Sequence, residues 1–236
     1  MASNTYTGKH DLRMLVLGHG AHLLAVRVAL GAFHDEYDPT EGTWRVQKII
    51  QNNFLMYDIT DWTDLSSLQA NPELLKSHLE NAHVLISVLE PTRPESNEKL
   101  ESFRFGDLMP LFEKRKQTRT IEEGVIVLWR EEEMNSTSRD SEQWKAGTAR
   151  GEDYAEKAGA HGPFLAYAES GMGVEEAFEQ MAIKVVEMWR HTEGEARVAA
   201  LSVEAARAAR FNHQVQAQSS VWERLWNWIC KRKHSE

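Results

Sequence analysis

Apolar and polar positions fall along this chain in blocks whose lengths separate strands from helices. Leu12–Leu17 (LRMLVL) is a short β-capable run halted by Gly18, the pattern of a buried strand. Leu23–Leu30 (LLAVRVAL) follows, polar only at Arg27, and suits a helix. Trp44–Ile50 and Phe54–Ile59 are separated by Gln51-Asn52-Asn53, which predicts an antiparallel hairpin because Asn tolerates left-handed turn geometry. A helical region is expected over Leu65–Leu79, then a strand over His83–Leu89. Pro91 and Pro94 interrupt the chain before a longer helix over Ser96–Lys116. Gly124–Trp129 reads as another buried strand, followed by a helix about Gly151–Ala158, a strand Pro163–Tyr167 and a helix Gly173–Trp189. In that last helix Val174, Phe178, Met181, Val185 and Met188 recur every ~3.5 residues, a core-facing stripe.

Strands alternating with helices predict an α/β fold, a mostly parallel sheet of five or six strands with helices on both faces. Ligands in such sheets bind at the carboxyl ends of the strands, where the Gly18 turn falls. Residues 1–11 read as a flexible N-terminus, residues 12–192 as the α/β body, and residues 193–236 as a helical C-terminal extension. Within the body, Glu131-Glu132-Glu133 and a Ser/Thr cluster mark a solvated acidic insertion at about 130–147.

Composition narrows the function. A net charge of −9 provides no broad basic face and argues against nucleic-acid binding. Cys230 is the one cysteine, which excludes an internal disulfide and a Cys-based zinc site. No run approaches the ~20 apolar residues of a membrane span, and the N-terminus lacks the apolar core of a secretory signal. These features point to a cytoplasmic protein. Trp222, Leu225, Trp226 and Ile229 form one apolar face of a short helix ahead of Lys231-Arg232-Lys233. That face suits peripheral contact with a membrane, with Cys230 open to palmitoylation, or docking on the protein's own body or on a partner.

The sextet Asp35-Glu36-Tyr37-Asp38-Pro39-Thr40 lies about one helix after the glycine turn and just before the hairpin. It resembles the first switch of Ras-type small GTPases. The likeness extends to Asp58-Ile59-Thr60-Asp61, Pro163-Phe164-Leu165 and Gly173-Val174-Glu175-Glu176-Ala177-Phe178, and covers about Leu12 to Arg190. It implies a Ras-like G-domain with GTP or GDP and Mg²⁺ as ligands, and a switch surface that binds effector proteins.

The nucleotide motifs depart from that family. In G-x-x-x-x-G-K-[ST] the backbone cradles the phosphates, Lys grips the outer two, and the hydroxyl ligates Mg²⁺. Counted from Gly18, Leu23, Leu24 and Ala25 stand in the places of Gly, Lys and Ser/Thr. Counted from the sextet, the loop is about three residues short, and the lysine is missing in either register. Each lost charge-assisted contact is worth roughly 1.5–3 kcal/mol. Asp-x-x-Gly-Gln appears as Asp61-Trp62-Thr63-Asp64-Leu65, so an added carboxylate would repel the terminal phosphate and the water-orienting glutamine is absent. Asn-Lys-x-Asp is echoed only by Glu133, and Ser-Ala-Lys is replaced by Ala168-Glu169-Ser170.

The resemblance therefore implies a pseudo-GTPase that scaffolds or signals without efficient GTP hydrolysis and needs no cofactor. Its expected partner is a protein, such as a Ras-pathway effector or regulator, bound through Asp35, Glu36, Tyr37, Asp38, Pro39 and Thr40. The alternative is a divergent small GTPase that still binds GTP or GDP and hydrolyses GTP slowly. In that case Gly18, Gly20, Thr40, Asp61 and Glu133 are the remnant nucleotide contacts, with Thr40 and Asp61 left to hold Mg²⁺. His19 and His22 form H-x-x-H near His10 and His34; without a cysteine or carboxylate in the motif they read as surface or loop histidines.

Overall fold

A computed structural model describes residues 9–31, 42–51, 53–116, 121–131 and 141–192. β1 (Lys9–Leu17) occupies the middle of a six-stranded sheet, parallel to β3 (Asn53–Trp62) on one side and β4 (Val84–Leu89) on the other. β5 (Glu122–Trp129) and β6 (His161–Tyr167) continue in parallel, while β2 (Thr43–Ile50) closes the far edge antiparallel to β3. The spatial order is β2-β3-β1-β4-β5-β6.

The helices are α1 (Ala21–Leu30), α2 (Leu65–Gln69), α3 (Pro72–Asn81), α4 (Pro94–Ser102), α5 (Met109–Lys116), α6 (Glu142–Ala158) and α7 (residues 174–186). They cover both faces. On β5, a methyl group at Gly124 would lie 2.7 Å from the sulfur of Met181 on α7, so that side packs α7. Val127 points the other way, where a methyl at Gly151 of α6 would meet it at 2.4 Å. The mostly parallel α/β architecture is therefore the one the alternation predicts.

Boundaries differ for local reasons. β1 begins at Lys9 and pairs with β3 from Phe54 onward, so residues 9–11 belong to the sheet and not to a loose N-terminus. The expected helix over Leu65–Leu79 is two helices, because Asn71 caps a new start at Pro72 by accepting from the Leu74 N–H. In the hairpin it is Gln51 that takes positive φ (47°), while Asn53 opens β3 and donates back to the Ile50 and Gln51 carbonyls. α6 starts at Glu142, capped by Ser141, so residues 142–147 of the expected insertion are helical. Gly147 and Gly151 dilute its apolar pattern, yet they are where the helix closes on Pro91, Trp129 and Val127.

Between α4 and α5 the chain widens into a π-helical turn, Phe103–Leu108. The i→i+5 spacing lets Phe103, Arg104 and Leu108 all turn inward. Arg104 is 1% exposed and donates twice to Glu123 of β5, Nε to Oε1 and Nη2 to Oε2, each at 2.6 Å. Its guanidinium also lies 4.7 Å from the centre of the Phe112 ring. A buried pair of this kind survives desolvation only through such paired geometry.

The chain divides into two compact units, Met1–Val186 and Glu187–Glu236. Of the second only residues 187–192 are described, and they are helical. Trp222, Trp226, Ile229 and Cys230 lie outside the described residues, as do the sextet Asp35–Thr40 and Glu133. Among the described residues no helix is long and apolar enough to cross a membrane.

Arg104→Met leaves the Glu123 carboxylate buried alone and should lower the unfolding free energy by about 3–5 kcal/mol in denaturant titration. Replacing both partners, Arg104→Met with Glu123→Leu, should recover most of that loss. A single variant within about 1 kcal/mol of the parent would contradict the pairing.

Candidate functional site

The carboxyl edge of the sheet is organised around the turn Gly18-His19-Gly20. Gly18 has φ 122°, and its N–H donates to the Trp62 carbonyl at 3.1 Å. A methyl at Gly18 would lie 2.4 Å from the Val88 carbonyl oxygen and 3.3 Å from a Leu100 methyl, so only glycine fits. A methyl at Gly20 would lie 2.3 Å from a Leu128 methyl and 2.7 Å from Oε1 of Glu90. The turn is thus closely packed by protein at both glycines.

The helix behind the turn is part of the core. Leu24 and Ala25, in the places of the lysine and the hydroxyl residue, are fully buried. His22 is 4% exposed, and its Nδ1 lies 3.2 Å from Oδ2 of Asp61. The other oxygen, Oδ1, accepts from Trp44 Nε1 at 3.0 Å, and the His22 and Trp44 rings stand 5.8 Å apart. With Asp61 ionised, the imidazole hydrogen sits on Nδ1 and donates. The expectation of surface or loop histidines is corrected for His22, a buried helix residue held by Asp61, while His19 lies in the turn with its side chain 36% exposed.

Asp61 is buried, and desolvation holds its carboxyl above the ordinary aspartate value. The charge and hydrogen bond of His22 and the hydrogen bond from Trp44 oppose that rise without cancelling it. Three residues on, Asp64 accepts from the Ser66 N–H at 3.0 Å and caps α2. Leu65, in the place of the water-orienting glutamine, is 9% exposed and joins the core.

Glu90, directly after β4, is the site residue that the motif comparison missed. Its carboxylate is 1% exposed, with Oε1 3.2 Å from His19 Nδ1 and Oε2 3.1 Å from Arg93 Nε. Buried Asn97 fixes its backbone, accepting from the Glu90 N–H at 3.0 Å and donating to the Glu90 carbonyl at 2.8 Å. The one sequence signal is position: a lone acid between Pro91 and a strand that is apolar except at Ser87.

The loops after β5 and β6 are stapled together. Glu169 Oε2 accepts from the Glu131 N–H at 2.7 Å, and Glu131 Oε1 accepts from the Ser170 N–H at 3.1 Å. Arg27 donates to the Ser170 carbonyl at 2.6 Å. Arg27, the first cation after the turn in sequence, is thereby committed to the β6 loop. Among the described residues no three His, Cys, Asp or Glu side chains gather as a metal site requires. A buried carboxylate, Glu90, lies beside the turn, and both oxygens of Asp61 are engaged.

Asp61 should tilt the pH dependence of stability. A carboxyl raised on folding makes the native state bind the extra proton, so its contribution is full below the ordinary value of 3.8 and fades as pH climbs through the raised folded value. Asp61→Asn removes that fade. Measured against the parent by denaturant titration from pH 4 to 7, the variant should gain ground as pH rises across that window. A constant or shrinking relative stability would contradict the assignment. No protein-family model matches the chain, and no curated protein matches it at a significant level.

Proposed function

We propose that this chain is a Ras-like pseudo-GTPase, a binding protein that keeps a switch-type loop and has given up nucleotide chemistry. The observation that carries the reading is the filled phosphate turn: Leu128 and Glu90 press on Gly20, and core Leu24 takes the place of the lysine. A carboxylate there repels a phosphate at short range. Support for the Ras-like part comes from the mostly parallel sheet, the β2–β3 hairpin after the sextet, and the glycine turn at the end of β1.

The partner half of the proposal rests on sequence. Asp35-Glu36-Tyr37-Asp38-Pro39-Thr40 keeps the polar and aromatic side chains of an effector loop while the groups that would make it respond to a γ-phosphate are gone. A switch loop without a toggle suits a constitutive docking surface for a protein, such as an effector or regulator of a Ras pathway.

Two measurements test the halves separately. Chromatography of the denatured, purified chain should release no guanine nucleotide; stoichiometric GDP or GTP would overturn the first half. Tyr37→Ala with Asp38→Ala should lower affinity for a Ras-effector domain at least tenfold in a direct titration while circular dichroism stays unchanged. Equal affinity of parent and variant, or no binding by the parent, would overturn the second.

A further inference from the structure

At the amino ends of β4 and β5 one residue ties three strands together. The His83 N–H donates to the Arg13 carbonyl of β1 at 2.8 Å, and the His83 carbonyl accepts from the Glu122 N–H of β5 at 3.0 Å. The third contact is not a main-chain pair: the Arg13 N–H donates to His83 Nδ1 at 3.0 Å. The regular β1–β4 register runs from Met14↔Val84 to Leu17↔Ser87. Before His83 the chain is still leaving α3, since the Ala82 N–H donates to the His78 and Leu79 carbonyls. A side-chain nitrogen therefore extends the pairing of β1 beyond the point where β4 begins.

We propose that His83 is an acid-sensitive latch on the central strand: its neutral imidazole closes the β1–β4 pairing at this end, and its protonation opens it. An imidazole accepts a hydrogen bond only through an unprotonated nitrogen. With Nδ1 as the acceptor, the ring hydrogen sits on Nε2 and the ring is neutral. Protonation turns Nδ1 into a second donor opposite the Arg13 N–H, and at a residue only 6% exposed the lost bond is costly to replace. The latch lies at the opposite end of β4 and β5 from the glycine turn, so it stands apart from what that turn binds.

The charged neighbours on the elements that meet at His83 have partners of their own. Asp11 of β1 lies 3.6 Å from Arg45, and the Arg13 guanidinium donates to Asn81 Oδ1 at 3.2 Å. On β5, Glu122 is met by His161 at 2.9 Å and Glu123 by Arg104 at 2.6 Å. On α3, Glu80 is exposed, and burial holds His78 below the ordinary histidine value. The native state needs His83 neutral, while the unfolded chain protonates it freely below about pH 6.5. The unfolded state then binds more protons, so the stability that the latch contributes is full above that value and is lost as pH falls.

His83→Asn is the test, on the full chain, because it offers a carboxamide oxygen near the place of Nδ1 and cannot titrate. His78, His161 and Asp61 remain in both proteins, so their own titrations cancel in the comparison. From about pH 7.5 to 5, across the histidine range, the parent should lose stability relative to the variant in denaturant titration. Over the same range the protection of the Arg13 amide from hydrogen exchange, taken relative to that of Leu15, should fall about tenfold in the parent, the worth of one hydrogen bond, and hold in the variant. Parallel stability profiles, or constant Arg13 protection in the parent, would overturn the proposal. If His83→Asn does not fold, the parent alone decides. Its long-range ¹H–¹⁵N spectra at neutral pH should show His83 uncharged with the ring hydrogen on Nε2, and a charged ring or a hydrogen on Nδ1 would overturn the proposal.

Discussion

The close approach of the β1 glycine turn to the carboxyl end of β4 is the constraint on which the site depends. Adjacent parallel strands lie about 4.8 Å apart, so a chain leaving β1 for α1 must pass over its neighbour's end. Here it passes with 2.4 Å between the Val88 carbonyl oxygen and the place of a Gly18 methyl. Glycine is therefore demanded by main-chain packing at the first position, and by Leu128 and Glu90 at the second. A glycine turn that looks built for phosphate is explained without any ligand.

Among the described residues this edge carries the carboxylates of Asp61, Glu90, Glu131 and Glu169, each beside a donor, although Glu90 Oε2 accepts no hydrogen bond. Asp61 of β3 is held by His22 and Trp44, and Glu90 after β4 by His19 and Arg93. Glu131 after β5 and Glu169 after β6 accept from one another's loops. Open α/β sheets bind ligands at this edge because strand ends and helix starts leave polar groups unpaired there. At Asp61, Glu131 and Glu169 the protein's own groups meet that need. The polar partners here arrive from α1, β2 and the loop after β6, which tie the neighbouring elements to the sheet.

Periodicity made the architecture legible, because a parallel sheet needs long apolar runs such as Val84–Leu89, buried at every position. Boundaries were harder where small residues carry the packing. α6 looked too short because Gly147 and Gly151 contribute nothing to an apolar stripe and yet make its tightest contacts. The split at Asn71-Pro72 was written in the sequence as a cap and an N1 proline, but a continuous apolar pattern obscured it. At the carboxyl edge, motif spacing singled out Gly18, Gly20 and Asp61, which the fold brings to neighbouring strand ends. It could not find Glu90, His22 or Trp44 as partners, since those contacts span 71, 39 and 17 residues of chain and exist only once the strands are stacked.

Thermal unfolding with and without GTP and Mg²⁺ tests the central claim most directly, because any ligand that prefers the native state must raise the melting temperature. A turn filled by Glu90 and Leu128 predicts curves that superimpose at about 1 mM nucleotide. A nucleotide present at ~100 times its dissociation constant would add about 2.7 kcal/mol and move the midpoint of a chain this size by roughly 5–10 °C. A shift of that size, dependent on Mg²⁺, would contradict the claim that the site has been given over to the protein's own side chains.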